Sequence, residues 1–242
     1  AGLARSGSER SATLIRDEWG VPHIFAESEE AGYYALGYAF GEDRLQRFLG
    51  TILFSRGELA SLIGPSALAG DVANRMWRHR EAAEAALAQL GPNITRNYAA
   101  FLAGLADYAE ASQPGSQYAQ MARALDVADI LAVTRAVFYT GYHTQNAMVE
   151  CGVGGMVYSK AFLPYRDANS PASNGWVVMP PRTRDGALIL AADPHVEVES
   201  VAYYEYHLDA GGLHSAGFAL GPALWQAHTE HLAWAMTTGS PD

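Results

Sequence analysis

The sequence predicts an α+β protein, and three observations carry that prediction. Through most of the first 150 positions apolar residues recur at three- and four-residue spacing, the period of amphipathic helices. Beyond Ser173 they fall in short runs bounded by Gly, Pro and Asp, which is strand texture. Between the two lies Ala161 to Ala172, a Pro-, Asn- and Asp-containing stretch without a period. Segregated rather than alternating helices and strands define the α+β class. The expected organisation is a mainly helical region over 1–160, a connector over 161–172 and a strand-rich region over 173–242.

Taken in order, residues 1–11 are polar and rich in Ser, Gly and Arg, an arm. Ala12 to Ile15 is a short apolar run, and Arg16-Asp17-Glu18-Trp19-Gly20-Val21-Pro22-His23-Ile24 reads as a turn between two strands. A helix follows, with Ala31, Tyr34, Ala35, Tyr38, Ala39, Leu45, Phe48 and Leu49 in period. Ser28 is its N-cap and Glu29 and Glu30 lie in the acidic first turn. A second helical piece runs from about Phe54 to Ile63 and stops at Gly64-Pro65. Arg78 to Leu90 is helical and closed by Gly91-Pro92; Ile94 to Ala111 ends at Ser112-Gln113-Pro114-Gly115. Asp126 caps a long apolar helix reaching about Tyr142. Strands are expected at Trp176–Met179, Ala187–Ala191, Val201–Leu208, Ser215–Leu220 and His231–Thr237.

Composition narrows the partners. With 242 residues the chain can bury a sizeable core. A formal net charge of -10 disfavours nucleic acid and anionic membrane surfaces, which need clustered Lys and Arg. Cys151 stands alone, so neither an internal disulfide nor a thiolate zinc site can form. No apolar run has the length of a membrane span. The chain opens at Ala1-Gly2-Leu3, as either a mature chain after processing or a piece of a longer one would, and it stops four residues after the strand-like run ending at Thr238, so truncation is expected at that end.

The run Ser173-Asn174-Gly175-Trp176-Val177-Val178, with Asp193-Pro194-His195 beyond it, is where chemistry concentrates. By local composition Ser-Asn at a strand entrance is a turn or cap. Cleavage of the bond before Ser173 would instead leave one residue holding a hydroxyl nucleophile and a free α-amine, able to act as its own base. Other chemistries fit less well. His228-Thr229-Glu230-His231 has neither zinc-protease spacing, and in a strand its two imidazoles would point to opposite faces. There is no Gly-x-Ser-x-Gly elbow, P-loop or dinucleotide fingerprint.

Linked motifs add a resemblance. Ser-Asn-Gly-Trp-Val-Val followed by Ala192-Asp193-Pro194-His195 resembles the β-chain start of the penicillin acylase (penicillin amidase) family. Tyr203 to Leu208, Gly217 to Pro222 and His228 to Thr237 resemble its Tyr-Glu-x-His-Leu strand, its Gly-Pro turn and its Ala-Trp-Gly-x-Thr strand. Independently, Arg16 to Ile24, Gly37-Tyr38-Ala39-Phe40-Gly41-Glu42-Asp43-Arg44-Leu45 and Arg56-Gly57-Glu58-Leu59-Ala60 resemble the α-chain opening. The resemblance covers about 12 to 242.

It implies an N-terminal-nucleophile hydrolase with an αββα core, incomplete at the C-terminus, whose precursor cuts itself before the serine into α and β chains that stay associated. By the same resemblance Ser173 is the nucleophile and His195 lies beside it. Thr238 supplies an oxyanion-hole N–H, and Asp242 is a carboxylate of a structural calcium site, with Gln145 or Glu150 as the α-chain ligand. No catalytic cofactor is implied. The substrates implied are small N-acyl compounds (β-lactam antibiotics, N-acyl-homoserine lactones or acylated peptides) and the compartment is periplasmic or extracellular. The helix from Asp126 lines the acyl pocket in such proteins, which marks Arg135, Phe138 and Tyr139; an Arg there hints at a polar acyl group. As simple sequence features these are core positions.

Departures qualify the match. Ala172 replaces the usual Gly before the nucleophile, Ala227-His228-Thr229 replaces Gly-His-Asn, and Ala235 replaces Gly. A second oxyanion donor and an arginine found downstream in the family have no counterpart in these 242 residues. One such donor is worth about 2.7–4 kcal/mol in comparable sites, so the chain alone is expected to be inactive. The alternative is an inactive fragment or degenerate homologue acting only as an association or binding unit.

Overall fold

The computed structural model describes residues 11–138, 173–194 and 204–237. Its contacts divide the chain into two units, Ala1–Gly32 with Tyr165–Asp242, and Tyr33–Pro164. Helices and strands separate as the sequence predicts, so the α+β class is borne out.

In the first unit β1 (Ala12–Arg16) runs antiparallel to β2 (Pro22–Ala26). The turn between them explains its motif. The Asp17 carboxylate accepts the N–H groups of Trp19 and Val21, both at 2.9 Å, while Arg16 donates to the Gly20 carbonyl at 2.7 Å. β2 then pairs in parallel with β5 (Tyr204–Ala210), followed across the sheet by β6 (Leu213–Leu220), β7 (Ala223–His228) and the short β8 (Ala233–Trp234). Every second residue of β5 is buried, so Tyr204, Tyr206, Leu208 and Ala210 form one apolar face with Ile24 of β2. The sequence does not announce β7. Ala and Gln are poor strand formers, and pairing with β6 overrides that preference. The run expected over His231–Thr237 shrinks to Ala233–Trp234.

A separate two-stranded antiparallel sheet holds β3 (Ser173–Val178) and β4 (Ile189–Pro194).

The second unit is helical. Ser28 caps α1 (Glu29–Arg56), its Oγ accepting the Ala31 N–H at 3.2 Å. The helix continues through Gly50 and joins the two expected pieces, because Leu49 before it and Ile52, Leu53 and Phe54 after it are all buried. Then follow α2 (Ala60–Ile63), α3 (Leu68–Trp77), α4 (His79–Leu87), α5 (Pro92–Ser112), α6 (Gln117–Arg123) and α7 (Val127–Phe138). Phe40, Phe48 and Phe101 form the aromatic centre, with Phe40 5.3 and 5.4 Å from the other two rings. Gly37 and Gly104 let α1 and α5 approach. A Cβ on the first would overlap the Phe101 carbonyl, and one on the second that of Tyr34.

The Arg56-Gly57-Glu58-Leu59-Ala60 motif is also structural. The buried Asp71 on α3 accepts the N–H groups of Leu59 at 2.9 Å and Ala60 at 2.8 Å, capping α2 from outside its own sequence. Gly57, at φ +66, passes close to the Asp71 carbonyl, where a side chain would collide. No helix among the described residues is long and apolar enough to cross a membrane.

Candidate active site

Ser173 is the first residue of β3 and stands opposite Pro194; Asn174 faces Asp193 and Gly175 faces Ala192. The expected strand starts at Trp176, whereas the ladder begins at the serine itself. Side chains alternate along a strand, so Ser173 and Gly175 share one face. Over that face runs the chain leaving β8. A Cβ on Gly175 would lie 3.3 Å from the Ala235 Cβ and 3.7 Å from the Thr237 Cγ2. Residues 235–237 therefore cross the face of β3 on which Ser173 sits.

Two side-chain bonds lie where this crossing begins. The β7–β8 ladder has only the pairs Ala227–Trp234 and His228–Ala233. Where it ends, the Gln226 amide donates to the Met236 carbonyl at 3.0 Å, and the Trp234 indole N–H donates to the Leu224 carbonyl at 3.1 Å. Gln226 is 3% exposed. Sequence reasoning passed it over, although a lone polar residue within Ala223-Leu224-Trp225-Gln226-Ala227 was a signal.

Of the predicted site residues, Ser173 lies among the described ones; His195, Thr238 and Asp242 lie outside them, as do Ala172, Gln145, Glu150 and Tyr139. Calcium takes six to eight oxygen ligands. Among the described residues no group of three His, Cys, Asp or Glu side chains could hold a metal ion. His228 ends β7 and His231 lies in the bend before β8, on opposite limbs of a tight turn closed by the Thr229 N–H to Leu232 carbonyl bond at 2.7 Å.

Arg135 of α7 has a local task. Its Nη1 donates to the Trp77 carbonyl at 3.1 Å and meets His79 Nδ1 at 2.6 Å. A guanidinium cannot accept, so Nδ1 accepts and the ring proton sits on Nε2. Burial, and then the Arg135 charge, push the His79 pKa down to about 4, leaving the ring neutral at pH 7.

On the six-stranded sheet His23 and His207 are paired in register with ring centroids 5.1 Å apart. Burial and the neighbouring His23 lower the His207 pKa. Asp17, 3.3 Å from His23, and Asp209, 3.0 Å from His214, are the acids beside them.

Ser173 thus stands at a strand end whose face is crossed by a backbone segment that leaves one sheet for the other. The family model described as penicillin amidase matches residues 11–242, and the chain belongs to that family. It is 27% identical, over 96% of its length, to the acyl-homoserine lactone acylase PvdQ of Pseudomonas fluorescens (strain Pf0-1). To the acyl-homoserine lactone acylase QuiP of Pseudomonas aeruginosa it is 23% identical over 96% of its length. To the penicillin acylase 2 proenzyme of Pseudomonas sp. (strain SE83) it is 24% identical over 85%. The chain covers 33% of each of these relatives, about a third of their length. A thermostable penicillin G acylase from Alcaligenes faecalis superposes with a TM-score of 0.47 at 20% identity, over 66% of this chain and 95% of that one.

Proposed function

We propose that this chain carries the nucleophile of an amidohydrolase that cleaves linear N-acyl amides and matures by cutting itself between Ala172 and Ser173. The observation that carries the reading is the placement of Ser173 at the start of β3, on the face crossed by residues 235–237. Membership of the penicillin amidase family supports it.

Before the cut, the Ser173 nitrogen is an amide without a basic lone pair. Afterwards it is an α-amine with a reference pKa of about 7.7–8.0, partly neutral near that pH. The amine then takes the Oγ proton, directly or through one water, as Oγ bonds to the acyl carbon and the carbonyl electrons move onto oxygen. The N–H of Thr238 donates to that oxyanion, and His195 supports the charge beside Ser173. Collapse breaks the C–N bond, the amine returns its proton to the leaving nitrogen, and water releases the acyl group by the same steps in reverse. Small N-acyl compounds, acyl-homoserine lactones and acylated β-lactams among them, are the substrate class, and the two chains stay associated after the cut. The expected compartment is the periplasm or the exterior.

Intact mass and N-terminal sequencing of the full-length product test the reading. A new N-terminus reading Ser-Asn-Gly-Trp is expected, and Ser173→Ala should stay uncut. An uncut wild-type chain that hydrolyses no acyl amide would overturn it.

A further inference from the structure

One face of the six-stranded sheet carries His23, His207, His214 and His228, and the carboxylates beside them are unevenly shared. His23, His207 and His228 stand in one cross-strand row, with Ala216 between the last two. Asp209 and His214 face each other two positions along β5 and β6, on the same side of the sheet. Asp17 serves His23 at 3.3 Å, and Asp209 serves His214 at 3.0 Å. His207 lies between these pairs. Its Nδ1 is buried and finds no hydrogen-bond partner among the described residues. Across the β2–β5 seam the His23 ring is 5.1 Å away, and Phe25 lies at 5.7 Å. The other charged and titratable groups on this face are Glu205 and Asp209 of β5, His214 of β6 and His228 of β7. Arg16, at the end of β1, is engaged with the Gly20 carbonyl.

The same seam joins the β1–β2 hairpin to the remaining strands of the sheet. Its pairs run from His23–His207 to Ala26–Ala210 and are parallel, a pairing slightly less stable per residue than the antiparallel ladders on either side. A second proton on the His207 ring makes Nδ1 a buried donor without an acceptor. It also sets like charge against His23 once that ring is protonated. Both costs disappear when the seam opens and the ring reaches water. Burial of the ring, which lowers the His207 pKa, acts in the same direction.

We propose that the His23–His207 seam is an acid-sensitive joint: protonation of His207 releases the β1–β2 hairpin from β5 while β5, β6 and β7 stay paired. The open form binds the extra proton. The joint is therefore closed above the ordinary imidazole pKa of about 6.5 and loosens as pH falls below it. This inference goes beyond the hydrolase reading and does not depend on Ser173.

Hydrogen exchange of the full-length protein, resolved to single amides and normalised for intrinsic rates, tests it between about pH 7.5 and about pH 5. The reference is His207→Phe, which keeps an aromatic ring beside Phe25 but cannot titrate. Over that range wild type should lose about tenfold more protection than the variant at amides bonded across the β2–β5 seam. Amides bonded between β6 and β7 should change alike in both proteins. His207→Gln is the second non-titrating variant, and imidazole NMR of wild type reads the same claim without substitution: His207 must gain its charge as the seam loses protection. Equal pH responses in wild type and a folded variant would overturn the proposal. So would protection lost uniformly from β5 to β7, or a charged His207 with the seam still closed. A chain that is never cut before Ser173 removes the nucleophile reading and leaves this one standing.

Discussion

Arg56 grips Asp129 through two parallel hydrogen bonds, Nε to Oδ1 at 2.9 Å and Nη2 to Oδ2 at 2.8 Å. The arginine ends α1, and the aspartate, with its side chain fully buried, sits in the first turn of α7. Arg80 of α4 adds an ion pair to Asp129 at 2.8 Å, and its Nη1 and Nη2 bond Asp126 at 2.9 and 2.6 Å. Burial pushes the Asp126 carboxyl up, but its bonds with Arg80 and the α7 N–H groups outweigh this and hold it below its ordinary value. Three helices thus meet on one carboxylate. Asp129→Asn should destabilise the protein by about 3 kcal/mol, since removing one partner strands buried charge. Glu84→Gln, which breaks only a solvent-side contact of Arg80 at 2.8 Å, should cost about 0.5 kcal/mol or less. Urea titrations of the two variants, compared at equal m-value, check the contrast.

Asp71 and Gly57 make a second test of whether a family motif serves structure or chemistry. Asp71→Ala leaves the Leu59 and Ala60 N–H groups without their acceptor, at about 2–3 kcal/mol. Gly57→Ala should be destabilising as well, because its Cβ would meet the Asp71 carbonyl at a positive φ. Both variants should mature with an unchanged cleavage site, which mass spectrometry reads directly. A shifted or absent cut in a folded variant would give the motif a chemical role.

Features fixed by neighbouring residues were legible in the sequence; those fixed by distant ones were not. Ser28 and Asp126 cap the helices expected of them, because a cap needs only its own first turn. α3 packs in reverse: Leu68, Val72 and Met76 have helical spacing but are exposed, while Asp71, Ala73 and Asn74 are buried. The sequence period alone would have put the wrong face inward. Ser173 stands out through the linked motifs that resemble the family's β-chain start, since Ser-Asn at a strand entrance reads by itself as a turn or cap. Gln226 was not legible, since its partner is a backbone carbonyl that only the β6–β7–β8 hairpins bring within reach.

His79 predicts a pH dependence of stability. Unfolded, the imidazole titrates near 6.5; folded, burial first and Arg135 second lower it to about 4. Between those values the unfolded chain binds the extra proton. The stability contributed by His79 is therefore fully present above about pH 6.5 and is lost as pH falls toward 4, by up to about 3 kcal/mol. His79→Asn keeps an acceptor near Nδ1 for Arg135 but cannot titrate. Its stability should fall less steeply than wild type from pH 6.5 to 4 in paired denaturation series. Parallel curves would mean that the ring titrates alike in the folded and unfolded chain.

Gly175 offers the sharpest separation of site from scaffold. A Cβ there is already 3.3 Å from Ala235, and the γ-methyls of a valine would occupy the path of residues 235–237. Those residues would have to lift off the face of β3 on which Ser173 sits. The helices of the other unit share none of these contacts, so helical circular dichroism should be retained. Gly175→Val should lower amide hydrolysis by about a hundredfold or more, since small misplacements of catalytic groups cost that much. Gly175→Ala should fall between Val and wild type, because its single added carbon needs a shift of only a few tenths of an ångström. Turnover per matured molecule, measured across the three proteins, decides the point. A flat series would mean that the segment crossing β3 has no part in catalysis.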